Sequence, residues 1–213
     1  MNLVDMSVTD FTLETASSSP APGGGTVSAL VGSLASSLGQ MVLELTVGKK
    51  AFLNLPEMRQ QRLCEIQTEL AQLRLELLKC VDEDTKAFNG FMAALSLPKG
   101  TDEEKELRYK AMQEATVKAI DVPYKTACLC CQVLQFLLDI VDDGNKNAIS
   151  DLGVAALMAR SAGLGALFNV RINLLGLDNL QAKQKHVDEC DELEQQITKQ
   201  ELAVLNCVRE KLY

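Results

Sequence analysis

One carboxylate stands where the pattern around it calls for an apolar side chain. Apolar residues recur at Leu63, Ile66, Leu70, Leu73, Leu77 and Val81, and again at Phe88, Phe91 and Leu95. Every step is three or four residues, the period of one helical face, and the position that completes the series is Asp84. A carboxyl flanked along its stripe by Val81 and Phe88 is partly desolvated. Desolvation disfavours the charged form, raises the pKa and leaves a group able to donate a proton near neutral pH. The competing reading is that the stripe rotates slightly and Asp84 faces water, as the neighbouring Asp82 and Glu83 are expected to do.

Other reactive groups are sparse. Gly23, Gly24 and Gly25 form a turn ahead of a helix and could present backbone amides to an anion, although such turns also simply change direction. There is no phosphate-loop signature and no G-x-S-x-G elbow. The single histidine, His186, lies among Lys and Gln on a polar stretch, so a catalytic imidazole finds no support. Proton transfer therefore falls to carboxylates or lysines. Cys128 and Cys131 make one C-x-x-C without a second ligand pair, so no metal site is expected. The seven cysteines are an odd number set mostly in helical segments, which predicts reduced thiols and a cytoplasmic location.

These residues need helices to hold them. A leader that is helical over 7–15 runs into SSSPAPGGG, and Thr26 is expected to cap a first long helix that ends near Gly48. Its Ala29, Gly32, Ser33, Ser36 and Gly39 invite close approach by a neighbour, and Lys49 and Lys50 follow its C-terminus. Pro56 starts a second helix reaching about Ser96, about 60 Å long. Thr101 with Glu104 forms a capping box for the third helix, which Pro123 is expected to kink or break. Its apolar run from Ala127 to Val141 stops at Asp142–Asn145. Ser150 is expected to cap a segment from Asp151 to about Phe168. NVRINLLGL alternates as a strand would but is read as helical, and one amphipathic helix runs from Asp178 to the end.

The sum is a single all-α domain over 1–213, an antiparallel helical bundle with very long helices. Six Phe, three Tyr and no Trp leave the core to aliphatic side chains, which suits close helix packing. A helix of some forty residues is hard to cover in one small subunit, so a homodimer through part of the bundle is expected. The net charge of −8 argues against nucleic acid and anionic membranes. The first ten residues lack the pattern of a signal peptide, and the serines within 27–47 make membrane insertion costly.

Taken together, several segments resemble the cyclodeaminase domain of the formiminotransferase-cyclodeaminase family, which includes stand-alone methenyltetrahydrofolate cyclohydrolases. The matching segments are SSSPAPGGGTVSALVGSL, LTVGKK, VDEDTKAF, LPKGTDEEKELR, Val122–Pro123, Gly144–Asn145, Ser150–Asp151 and NVRIN, in order from Phe11 to Leu177. One departure is Thr26, where the family pattern has Ser. The resemblance implies an all-helical dimer that binds tetrahydrofolate near the subunit interface, with a catalytic Asp in D-x-D-x-x-A-F, here Asp82 or Asp84. Periodicity independently selects Asp84. The implied reaction is cyclodeamination of 5-formimino-tetrahydrofolate to the 5,10-methenyl compound plus ammonia. The alternatives are hydrolysis of the 5,10-methenyl compound to 10-formyl-tetrahydrofolate and a non-catalytic helical scaffold. Lys49, Lys50, Lys99, Lys105 and Arg108 are candidates for the glutamate tail of folate. Asn145, Ser150, Asp151, Asn169 and Asn173 are candidates for the pterin's amide edge.

Overall fold

The computed structural model describes residues 2–212. Its elements are α1 (Val8–Thr15), α2 (Gly24–Glu44), α3 (Lys50–Leu53), α4 (Glu57–Leu95), α5 (Asp102–Ile140), α6 (Ile149–Leu174) and α7 (Leu180–Leu212). Short 3-10 turns at Leu3–Asp5 and Lys146–Ala148 complete the order, and no strand forms among the described residues. The sequence reading of an all-helical antiparallel bundle holds, including the helical NVRIN segment.

The packing is layered. Helices α2 and α6 lie side by side and both rest on α5. Helix α4 flanks α2 and α5, and α7 flanks α5 and α6. Small residues let α2 sit deep: a methyl group at Gly32 would collide with the Cys130 sulfur, and one at Gly39 with Leu137. The serines that made α2 look costly to bury are satisfied. Ser36 donates to the Leu70 carbonyl at 2.7 Å. Ser28, Ser33 and Ser37 donate to carbonyls of their own helix. By length and composition α2 and the stretch 146–174 could each cross a membrane, and about half of each is buried in the fold.

Three local expectations change. Thr26 does not cap α2; the cap lies three residues earlier at Gly23, and Thr26 is buried inside the helix. Ser150 does not cap α6, because Ala148 at the end of the preceding 3-10 turn occupies that place. Pro123 neither breaks nor ends α5, which continues through it to Ile140. A proline has no N–H for the carbonyl four residues back. Here that carbonyl, of Ala119, accepts from the side-chain amide of Asn173 at 2.6 Å. The missing hydrogen bond of one helix is thus supplied by another.

Helix direction decides which loops meet. The start of α2, the end of α6 and the Asp84 turn of α4 share one end of the bundle, since Thr26 bonds Asp84 and a side chain at Gly24 would meet Asn169. The end of α2 and the loop before α6 share the other, where Asn145 donates to the Leu45 carbonyl. Helices α4 and α5 continue past the first end as an arm joined at 96–101.

Candidate active site

A cavity of about 490 Å³ opens where the N-terminus of α2 meets α4, α5 and α6. The leader contributes Pro20, Ala21 and the glycine turn, α4 contributes Asp84, Ala87, Phe88 and Phe91, α5 Thr116 and Ala119, and α6 Asn169, Ile172 and Asn173. Aromatic and aliphatic walls with a few converging polar groups are the usual make-up of a small-molecule site.

Asp84 lies against the first turn of α2. Its Oδ2 accepts from the Thr26 hydroxyl at 2.7 Å, and Thr85 stands beside the same hydroxyl. A Cβ at Gly25 would overlap the carboxylate, so only glycine lets the two elements meet. The N-terminal turn of α2 has no side-chain cap from its own residues. A carboxylate from α4 sits there instead, where the free amides and helix dipole favour negative charge. Burial pushes the Asp84 carboxyl above the usual carboxylate range, and the hydroxyl and backbone N–H of Thr26 oppose that push without cancelling it.

Asp82 is positioned differently. Its Oδ1 accepts from the backbone N–H of Leu3 at 2.7 Å, which ties the start of the chain to α4. It does not line the cavity.

Both asparagines at the cavity have their amide nitrogens engaged. Asn169 Nδ2 donates to the Gly165 carbonyl at 2.9 Å, and Asn173 Nδ2 donates to Ala119. With the NH₂ groups held against carbonyls, each Oδ1 is left as an acceptor. Gln113 braces the rim: its Nε2 donates to the Gly176 carbonyl at 3.0 Å and its Oε1 accepts from the Asp178 N–H at 3.2 Å.

Of the residues singled out in the sequence, the structure gathers Gly23, Gly24, Gly25, Asp84, Asn169 and Asn173 around this cavity. The others sit elsewhere. Lys49, Lys50, Asn145, Ser150 and Asp151 gather at the opposite end of α2, with the whole length of that helix between them and Asp84. Asn145 is consumed as a loop brace, donating to Leu45 and accepting from the Asn147 N–H. Lys99, Lys105 and Arg108 are at the arm's tip, where Arg108 donates to the Leu95 carbonyl and Lys105 pairs with Asp102. Among the described residues, none that lines the cavity is cationic. Sequence reasoning missed Thr26 as a partner of Asp84, and the Phe88, Phe91, Thr116 and Ile172 walls. For the phenylalanines the signal was present, since they continue the stripe that selects Asp84.

The model of the formiminotransferase-cyclodeaminase family matches residues 7–192. A methenyltetrahydrofolate cyclohydrolase of Methylorubrum extorquens is 35% identical over 198 residues, which cover 93% of this chain and 89% of that protein. A formimidoyltransferase-cyclodeaminase of Rattus norvegicus is 35% identical over 204 residues, 96% of this chain. The chain spans only 37% of the length of that rat relative. The crystal structure of a formiminotetrahydrofolate cyclodeaminase from Thermotoga maritima superimposes with a TM-score of 0.85 at 26% identity, covering 98% of both chains. The chain belongs to the formiminotransferase-cyclodeaminase family.

Proposed function

We propose that this protein is an enzyme of folate one-carbon metabolism that converts 5-formimino-tetrahydrofolate to 5,10-methenyl-tetrahydrofolate and ammonia, with Asp84 as proton donor. The observation that carries this reading is a carboxyl pushed up by burial in the wall of an apolar, amide-lined cavity. N10 of the folate attacks the formimino carbon, forming a tetrahedral centre between two nitrogens. The former imino nitrogen departs as ammonia only once it is protonated, and a carboxylic acid kept neutral by its surroundings can supply that proton. The methenyl product is a cationic amidinium. The carboxylate left behind attracts it, more strongly for being shielded from water.

A second reading is hydrolysis of 5,10-methenyl-tetrahydrofolate to the 10-formyl compound, with Asp84 in its carboxylate form as the base that activates water. The 35% identity to the Methylorubrum cyclohydrolase supports it. Purified protein given each substrate separately distinguishes the two. Ammonia release from the formimino compound is the expected result. Turnover of the methenyl compound without ammonia release from the other gives the second reading, and no turnover of either leaves the scaffold alternative.

A homodimer is part of the proposal. Along α6, Val154, Leu157, Ser161, Leu164, Phe168 and Ile172 repeat every three or four residues on a face that no described helix covers, and Phe168 is 66% exposed. Leu34 and Met41 of α2 and Leu45 at its C-cap are also exposed. A second copy related by a two-fold near the middle of these antiparallel helices buries both stripes. The same operation carries the partner's Lys49 and Lys50, neither of which makes an ion pair among the described residues, toward the cavity that lacks cations. These lysines are suited to the folate carboxylates. Asn169 and Asn173 are suited to the pterin.

A further inference from the structure

We infer that Pro123 is a positioning residue for ligand binding. By withholding its N–H it frees the Ala119 carbonyl to hold the Asn173 amide, so that the Asn173 Oδ1 is left as a hydrogen-bond acceptor for the ligand. The inference rests on the folate reading for the identity of the ligand. The link between Pro123 and Asn173 stands on geometry alone.

In an ordinary helix the carbonyl of residue 119 accepts from the N–H of residue 123. Proline cannot provide it, and a buried carbonyl without a donor costs stability. Pro123 is buried in the middle of α5, and Ala119 is half-buried at the cavity wall. Asn173 projects from α6 and donates to this carbonyl at 2.6 Å, across 54 residues of sequence. The bond fixes the amide's sense. Its NH₂ lies against Ala119, and its Oδ1 is left for the cavity that both residues line.

One helical turn earlier, Asn169 is fixed the same way by the Gly165 carbonyl. Thr116, also at the cavity, spends its hydroxyl proton on the Met112 carbonyl. Asp84 adds a further acceptor whenever it is ionised. The Oδ1 atoms of Asn169 and Asn173 and the Thr116 hydroxyl oxygen are thus acceptors, and they match a ligand edge that offers N–H donors. The pterin has such an edge, its exocyclic amino group beside the ring N–H. Each asparagine NH₂ keeps a second N–H beyond the one its carbonyl takes, so the lining can also donate, and the acceptor edge is the part that the Ala119 and Gly165 carbonyls fix.

The test is a double-mutant cycle read by steady-state kinetics and by thermal melting. Asn173→Ala removes the acceptor and raises KM about tenfold, the scale of one good hydrogen bond, with kcat little changed. Pro123→Ala gives Ala119 a helical donor that competes with Asn173, and it too raises KM. If the two act through one another, the double variant is no worse than Asn173→Ala alone. Melting separates the link from the folate reading. Asn173→Ala strands the Ala119 carbonyl and lowers Tm, and adding Pro123→Ala supplies the missing N–H and restores it. Multiplying KM effects together with no recovery of Tm overturns the inference. If wild type turns over neither folate compound, the functional reading fails while the recovery of Tm still decides the link. The donor-edge claim has its own arm. A substrate with the exocyclic amino group replaced by methyl should bind wild type about tenfold more weakly, and equal binding refutes it.

Discussion

The Asp84 carboxylate occupies the space that a side chain at Gly25 would need. The acid and the glycine turn are therefore one device: the turn must be bare for the acid to reach the end of α2. Alanine substitutions along the turn should be graded. At Gly23 the new methyl meets nothing closer than a backbone oxygen at 3.8 Å, an ordinary contact, and activity should survive. At Gly25 it displaces the carboxylate, costing about 1–3 kcal/mol of stability by overpacking and a larger share of kcat. Equal effects at the two positions, by melting and initial rates, contradict the arrangement.

Asp84→Asn keeps an oxygen for the Thr26 hydroxyl and removes the acid. The variant should fold and lose about 10²- to 10⁴-fold in kcat, the usual contribution of a positioned acid or base. Asp82→Asn should retain most activity, because its carboxylate holds the Leu3 amide rather than the cavity.

The pH dependence has a definite sign. The folded-state pKa of Asp84 lies above its unfolded value, so the group favours folding at pH below the unfolded pKa. That contribution is lost as pH rises through the folded pKa. Asp84→Asn should therefore melt higher than wild type near neutrality, and the difference should vanish in acid. Turnover that depends on the acid form should fall as pH rises through the same pKa. Thr26→Val removes a group that lowers this pKa, so the alkaline limb of the rate profile should move to higher pH. A shift to lower pH would count against Asp84 as the titrating acid.

A cavity in one subunit completed by lysines of another predicts complementation. Asp84→Asn and the double variant Lys49→Ala/Lys50→Ala should each be impaired alone. Mixed and re-equilibrated in equal amounts, they should recover about one quarter of wild-type sites, because half the dimers are hybrids and each hybrid holds one intact site. No recovery from a mixture shown to exchange subunits places the lysines outside the site.

Much of this molecule could be read from spacing. The three- and four-residue steps from Leu63 to Val81 mark a stripe that is buried, and the same steps led to Asp84 at the cavity. The Thr101–Glu104 capping box forms as expected. The failures share one cause: sequence order does not say at which end of a bundle a loop lies. Lys49, Asn145 and Ser150 looked like companions of Asp84, but antiparallel helices send successive loops to alternate ends, and these fall on the far one. Pro123 misled for a related reason. Its local effect is to break a ladder, and the repair comes from Asn173, which no window around residue 123 contains.

The bond between Asp82 and the Leu3 amide has a practical corollary. It anchors the opening residues beside the acid's own helical turn, so an affinity tag fused ahead of them tugs on that turn. Preparations meant for kinetics are better tagged after α7, whose last turn pairs Lys211 with Asp142 at the far end of the molecule.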